Sequence, residues 1–491
     1  MTRVRENIFL RNKAALGVFV LLVYLFALLA WPAAVIAAPA FQRVAAGVEY
    51  AAWEKTLEDG SKASVYCLRA DLKAHGVELK PVLAGDKLGS LEPLSRMVER
   101  YGAVGGVNGT FYIMGSPRLP VDTMVIDGNL LVRGDREATG LVVTKEGKAF
   151  FDRLNPRVTL RLPGKKAIFE VNTVNLPVED GLTVFTPAYG TSTGSGPEVL
   201  EMPAAPDRTG RLILGEAVNG NAAIPPNGLV ISLRGEKIKL KDYFVPGQAA
   251  VMEVEELKTE DVAHLITNGP ILVQRGCKYV PIPREELDSA LWARHPRTAV
   301  GVTASGKVLL AVVDGRRPDS VGMTFSELAD LMLELGAEEA MALDGGGSSE
   351  MIVDKKIVNV PSDGAERRIN NALLVISQLP VYVNGKRIYF DVSPRNENGR
   401  VLTPARQLFE ALDAQVEWNE EKQTVYITRG KSKIELPIGK KTARVNGKAV
   451  TLDVPAKIVD GRTLVPVRFV SQSLGAKVKW DSARQAVVIS Y

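Results

Sequence analysis

A chain of 491 residues, 46% hydrophobic and 24% charged, has the make-up of globular protein and room for about three domains of ordinary size, which excludes wholesale disorder and collagen-like structure. Three His (His75, His264, His295) and two Cys (Cys67, Cys277) leave almost no material for a zinc site or a Cys-rich scaffold. The net charge of +5 is uneven: residues 1–37 carry +3, residues 381–491 hold 19 Lys/Arg against 11 Asp/Glu, and the stretch between them nets −6. A mildly acidic body is therefore joined to a basic tail, suited to a polyanion or to plain solvation.

Residues 1–13 are basic, 14–30 (AALGVFVLLVYLFALLA) form an unbroken apolar run, and small residues follow as far as Ala37 and Ala38. This is the layout of a secretory signal over 1–38, with an N-terminal membrane anchor as the competing reading. Either way the positive flank stays inside, and the chain is expected to be secreted or cell-surface. Export permits a Cys67–Cys277 disulfide, and two separate buried thiols fit as well.

The body is expected over 45–378. SVYCLRADL (64–72) and VELKPVLA (77–84) read as strands, LEPLSRMVERYG (91–102) as a helix ended by Gly102, and VGGVNGTFY (104–112) as a Gly-rich strand and turn. Strands and turns dominate 121–255, with a long loop from Tyr189 to Pro206. WARHPRTAVGVTASGKVLLAVVDGRR (292–317) reads as a hairpin turning at Ser305-Gly306. A helix follows, with Thr324 and Glu327 as a capping box and Gly336 as its stop. AMAL (340–343) is a strand running into DGGGSSE (344–350), and MIVDKKIVNV (351–360) is a further strand. The fold class is a β-rich α+β protein: a central mixed-sheet domain with few helices plus a small two-repeat α+β module.

Asp344-Gly345-Gly346-Gly347-Ser348-Ser349 is the most informative local run. Three glycines after a strand end let backbone N–H groups turn toward an anionic oxygen, the hydroxyls add donors, and Asp344 can act as acid, base or nucleophile. A Gly-rich hairpin whose Asp caps the turn is the plain alternative. The run lacks the Lys of a P-loop and the spacing of G-x-S-x-G, and no helical pattern follows it as in a dinucleotide fold. Arg297, Arg316, Arg317, Arg367 and Arg368 lie in the same motif blocks, and Arg suits bidentate phosphate binding. Asp314 and Asp344 with nearby oxygens leave a divalent ion open, though no ligand spacing calls for one.

VNGTFY, NGPILV, HPRTAVGV, VVDGRR, LDGGGSSEM and SDGAERRINNAL occur in an order that resembles the phosphodiester glycosidase (uncovering-enzyme-like) family, over roughly 95–378. VNTVN (171–175) and TPAYGT (186–191) add to the resemblance. It implies cleavage of a glycosyl–phosphate bond through an oxocarbenium-like transition state, with a departing anion to hold. Under it Asp344 is the leading carboxylate. Arg297, Arg316 and Arg368 are phosphate-clamp candidates, assisted by Gly345, Gly346, Gly347, Ser348 and Ser349. Asn108, Thr298 and Asn371 are candidates for substrate binding. Asp314 and Glu366 are candidates for a second carboxylate. His295 is a general-acid candidate that packing would explain as well. No cofactor is implied; the partner is a phosphate-linked carbohydrate, and no nucleic acid is expected.

Residues 381–491 hold an internal repeat at a constant offset of 62: VNGK at 383–386 recurs at 445–448, and Leu402, Pro404, Arg406 and Trp418 recur as Leu464, Pro466, Arg468 and Trp480. Each copy reads as a strand, an Asn-Gly turn, a second strand, a short helix and a strand pair. Leu408, Phe409 and Leu412, with Phe469, Val470 and Leu474, are expected inside. The module resembles the N-terminal domain of copper amine oxidases, but no His lies beyond His295, so copper chemistry is not implied. Attachment to an anionic cell-wall polymer is the role expected for it. A non-catalytic, surface-anchored glycan-binding protein is the alternative reading of the whole chain.

Overall fold

Strands that carry apolar residues on both faces of the pleat must be covered on both faces. In Lys62–Ala70, Val308–Val313 and Arg297–Thr303 the pleat sends Leu68, Leu310 and Val300 to one core and Cys67, Ala311 and Ala299 to another. The computed structural model describes residues 39–115, 117–135, 138–154, 156–255, 261–267, 269–279 and 289–491. The apolar leader at 1–38 lies outside the described residues. Among these residues no helix is long and apolar enough to cross a membrane.

An antiparallel sheet of eight strands runs in the order Gln42–Ala45, Val48–Thr56, Lys62–Ala70, Val308–Val313, Arg297–Thr303, Ala337–Ala342, Ile271–Gln274 and Cys277–Lys278. One face packs against a five-stranded antiparallel sheet, ordered Lys356–Ile357, Met351–Val353, Gly105–Asn108, Asn371–Ser377 and Val77–Leu83. The helix Phe325–Glu334 covers the outer face of the first sheet with Leu328, Ala329 and Met332. The helix Leu94–Tyr101 covers the outer face of the second with Met97 and Val98. The order is helix, sheet, sheet, helix, with the main core between the sheets.

Residues between 124 and 267 form two more sheets, one of them with its own core around Leu160, Val184 and Ile231. Mixed pairing occurs there: Thr173–Val174 runs parallel to Gly181–Phe185, which pairs antiparallel with Leu229–Arg234. The protein is thus a β-rich α+β structure. Three local expectations need correction. Residues 351–360 make a hairpin, because Asp354 and Lys355 both take positive φ (49° and 63°) and reverse the chain. The supposed loop 189–206 ends in the strand Leu200–Pro206. Cys67 is buried and Cys277 exposed, and neither is in a disulfide.

In the tail, Asn384-Gly385 and Asn446-Gly447 form the tight turns, all four residues at positive φ. The two copies meet across the central pair Arg400–Pro404 and Arg462–Pro466. There Leu402 faces Pro466, Thr403 faces Val465 and Pro404 faces Leu464. Each pairing joins a residue to the repeat-equivalent of its mirror position, so a pseudo-twofold axis runs through Thr403 and Val465. Arg400–Asp453 and Arg462–Asp391 are the reciprocal ion pairs this symmetry requires, both 2.5 Å. Leu408, Phe409, Leu412 and Val470 are fully buried, while Phe469 is half-buried.

The tail docks on the body. Gln378 Nε2 donates to the carbonyls of Tyr101, Gly102 and Phe390, and Tyr389 Oη donates to Glu78 Oε1 (2.7 Å). Gly102 sits at φ 52°, caps the helix Leu94–Tyr101, and a Cβ there would collide with the Phe390 carbonyl. Gly102→Val is therefore expected to release the tail. Limited proteolysis should then cut between residues 377 and 391 at least about tenfold faster, where wild type is protected by docking.

Candidate active site

The eight residues 343–350 cross from the end of the first sheet to the start of the second. Asn108, fully buried on the second sheet, holds both ends of this crossing. Its Nδ2 donates to Asp344 O (2.6 Å), and its Oδ1 accepts from Glu350 N (3.2 Å) and from Thr298 Oγ1 on the first sheet (2.7 Å). Asn359 forms a second strut. Its Nδ2 donates to Asp314 Oδ1 (3.0 Å) and Ser349 O (3.2 Å), and its Oδ1 accepts from Met351 N (2.8 Å). The loop is therefore clamped at its base by amides from both sides.

Above those clamps Asp344 is half-buried. Gly345 N donates to its Oδ1 (2.9 Å) and the Ser348 hydroxyl bonds to the same carboxyl. Burial raises its pKa above the ordinary carboxylate value; the hydrogen bonds from Ser348 and Gly345 and the Arg367 charge oppose that shift. Arg367 Nη1 reaches Ser348 Oγ (3.3 Å) while Nε and Nη2 hold Asp363. On another side Arg316, at φ 60°, lays its guanidinium over Gly346, where a Cβ would lie 3.1 Å from Nη2. Arg316 Nε also stands 3.4 Å from His295 Nδ1. Among the described residues Arg316 makes no ion pair with a carboxylate. Tyr112 lies near enough for the Asp344 charge, after burial, to raise its phenol pKa. The structure thus brings together Asp344, the glycine loop, Ser348, Arg316 and His295.

Other candidates lie elsewhere or hold the scaffold. Gly345 N and Gly346 N are spent on Asp344 Oδ1 and Pro296 O, so the glycines do not form the expected open nest. Their smallness instead admits Arg316 and, at Gly347, the Arg367–Asp363 pair. Arg297 is buried, with Nε donated to Met323 O and Nη2 to Leu291 O and Ala293 O, and it lies over the Phe325 ring (3.9 Å). Desolvation and then Arg316 lower its pKa to about 10. Arg368 opens the strand Arg368–Ile369, where it is paired with Pro93, and donates to Leu91 O (2.7 Å) rather than to the loop. Thr298 is bound to Asn108. Asn371 pins the turn after the strand Gly105–Asn108 by accepting from Thr110 N (2.9 Å). Buried Asp314 serves Asn359, the Val360 N–H and the Tyr66 phenol, and Ser349 Oγ is buried with no hydrogen-bond partner among the described residues.

Glu366 accepts from Ser95 N and Ser95 Oγ at the start of the helix Leu94–Tyr101 (2.6 and 2.7 Å) and also bonds to Glu350. Glu350 is buried. Desolvation and then the Glu366 charge raise its pKa to about 9, so it holds a proton at neutral pH. Sequence reading missed Glu350, Arg367 and Asn359. The one signal for Glu350 was an acid opening an apolar strand. No group of three or more His, Cys, Asp or Glu converges for a metal among the described residues.

Residues 205–376 match the family model described as phosphodiester glycosidase, and residues 382–489 that of the copper amine oxidase N-terminal domain. The body of the chain is therefore similar to the phosphodiester glycosidase family, which points to a hydrolase, and the tail is similar to the copper amine oxidase N-terminal domain. It is 35% identical over 127 residues to the SPbeta prophage-derived protein YomE of Bacillus subtilis, covering 26% of this chain and 19% of that protein. It is 36% identical over 67 residues to bovine (Bos taurus) N-acetylglucosamine-1-phosphodiester alpha-N-acetylglucosaminidase, covering 14% of this chain and 12% of that protein. The chain thus spans a fifth or less of the length of these curated relatives. A hypothetical protein from Synechocystis shares the fold, with a TM-score of 0.60 at 20% identity, over 68% of this chain and 62% of that one.

Asn108→Ala would leave the Thr298 hydroxyl, the Glu350 N–H and the Asp344 carbonyl without this partner. It is expected to destabilise the protein by about 3 kcal/mol or more, read as a lowered denaturation midpoint. Glu350 gives a pH signature. Its folded pKa is raised, so the folded state binds the extra proton, and stability falls as pH climbs from the unfolded value of 4.5 toward about 9. Glu350→Gln should flatten that fall, gaining most over wild type near pH 9, as denaturation across that range will show.

Proposed function

We propose that this protein is an exported hydrolase that cleaves a glycosyl–phosphate bond, a sugar 1-phosphodiester, in cell-surface or extracellular glycopolymer. The observation that carries the reading is one carboxylate, Asp344, held by a clamped loop between two guanidinium groups, Arg316 and Arg367. A phosphodiester has its negative charge on the leaving side and develops positive charge at the anomeric carbon. A site for it needs cations and an anion at close quarters, and this loop supplies the anion while Arg316 and Arg367 beside it supply the cations.

In this reading Asp344 accepts the proton of a water whose oxygen bonds to the anomeric carbon. The bond from that carbon to the phosphate oxygen breaks, and its electron pair leaves with the phosphate monoester. Arg316 and Arg367 hold the departing phosphate, and because phosphate leaves well, little proton donation to it is needed. His295 positions Arg316 through its Nδ1. Buried Glu350 stays neutral and keeps a second negative charge away from the phosphate; Glu366 fixes its place.

The test is release of reducing sugar from a soluble sugar 1-phosphodiester by the full chain. Asp344→Asn should lower kcat by about 10²- to 10⁴-fold, and equal turnover would remove Asp344 from the mechanism. Arg316→Met and Arg367→Met should each lower kcat/KM by about 10²-fold. Because burial raises the Asp344 pKa and the base must be ionised, activity should rise with pH along an acid limb whose midpoint lies above 3.8. A kcat/KM profile that falls across that range would contradict the assignment.

A further inference from the structure

The pseudo-twofold axis of the tail creates two equivalent clefts. One, of about 500 Å³, is walled by Trp480 and Arg468 of the second repeat and floored by Arg400 of the first. The other, of about 760 Å³, is walled by Trp418 and Arg406 of the first repeat and floored by Arg462 of the second. Each wall residue is its counterpart's number plus 62. The second cleft is also lined by Arg96, Glu99 and Arg100 of the body helix.

The side chains divide into committed and uncommitted groups, in the same way on both sides. Arg400 and Arg462 are held by Asp453 and Asp391. Arg406 and Arg468 are exposed, and among the described residues neither makes an ion pair or side-chain hydrogen bond. Trp418 and Trp480 are 41% and 43% exposed, unusual for the largest apolar side chain, and occur at the same place in each cleft. An indole face offers a flat, weakly hydrated platform that fits the C–H face of a sugar ring. A free guanidinium beside it fits a phosphate in two-point contact. The residues 381–491 around them have an excess of eight positive charges.

From these features we infer that the tail is a bivalent receptor for a phosphate-bearing glycan chain, with each cleft taking one sugar on its Trp and one phosphate on its free Arg. A single small ligand gives no reason for two copies of a site on one rigid module. A polymer does, because the second contact forms at high effective concentration once the first is made. The ligand class is that of the hydrolase reading above, on which this inference rests for the choice of a phosphate-linked sugar; the clefts themselves do not depend on Asp344.

The test uses the full chain carrying Asp344→Asn, so that the polymer is not consumed, and titrates it with a poly(hexose 1-phosphate), a polymer of sugars joined through 1-phosphodiester bonds. Dextran serves as the neutral probe and inorganic polyphosphate as the sugar-free one. Trp418→Ala and Trp480→Ala should each weaken polymer binding by about tenfold or more, and the pair by about 100-fold or more. Arg406→Met with Arg468→Met, two exposed changes that leave the fold intact, should give a similar loss and a shallower dependence on salt. Thermal midpoints equal to the parent's identify the losses as lost contacts. Dextran and polyphosphate should both bind more weakly than the polymer. The inference is overturned if the double Trp variant binds like its parent, if only one cleft contributes, or if dextran or polyphosphate binds as tightly. Hydrolysis of a small sugar 1-phosphodiester by the Trp double variant with Asp344 intact reports on the catalytic reading alone: turnover there with no polymer binding by the parent would leave the hydrolase and remove the receptor.

Discussion

One buried amide holds the architecture of the site. A loop that passes between two packed sheets has to satisfy its polar backbone in a place water does not reach, and an unpaired group there costs more than a typical hydrogen bond returns. Asn108 is suited to this because a carboxamide both donates and accepts. It takes a carbonyl at one end of the loop and an N–H at the other, and its oxygen also receives a hydroxyl from the facing sheet. A carboxylate in its place could only accept, and a leucine could do neither. Asn359 repeats the arrangement from the opposite side, with Asp314 as its counterpart. The position of Asp344 is therefore set by the sheets rather than by its loop.

That rigidity lets incompatible charges share a small volume. Asp344, Glu350 and Glu366 lie on or against one short crossing, and three ionised carboxylates there would repel one another and any anionic ligand. The protein separates them by environment. Glu366 spends its charge on the start of a helix, Glu350 is buried deeply enough to remain neutral, and Asp344 keeps access to solvent beside two guanidinium groups. Arg297, buried, ties together the carbonyls of Leu291, Ala293 and Met323. Its neighbour Arg316 lowers its proton affinity further, a measure of how densely positive this corner is.

Much of this was legible in the sequence where the physics is local. The Thr324–Glu327 capping box, the stops at Gly102 and Gly336, the Asn-Gly turns and the repeat offset of 62 are set by backbone chemistry within a few residues, and they appear where that chemistry places them. The pairing of distant stretches was not legible. Arg367 and Arg368 are indistinguishable in composition, and only the strand pairing of Arg368 with Pro93 decides which one turns to the loop. Asn108, Thr298 and Asn371 carry the polar side chains of a binding site but serve as struts, a distinction that depends on which sheet faces which. The glycine run was read for its N–H groups, whereas in the fold its value is the missing side chains. Glu350 escaped notice because a proton shared with a residue 16 positions away leaves no mark on either neighbourhood.

The docking of Gln378, Tyr389 and Glu78 makes the tail something other than a flexible tether. With the two halves locked, the reach from any surface the tail grips to the loop around Asp344 is a fixed length. On the proposed reading such a protein would work like a pair of dividers: each placement on a long substrate would commit it to one stretch, and it would have to let go and step to treat the next. Turnover on a polymer would then be governed by how quickly the grip loosens, and the geometry of the joint, more than the chemistry of the loop, would set the spacing of the cuts.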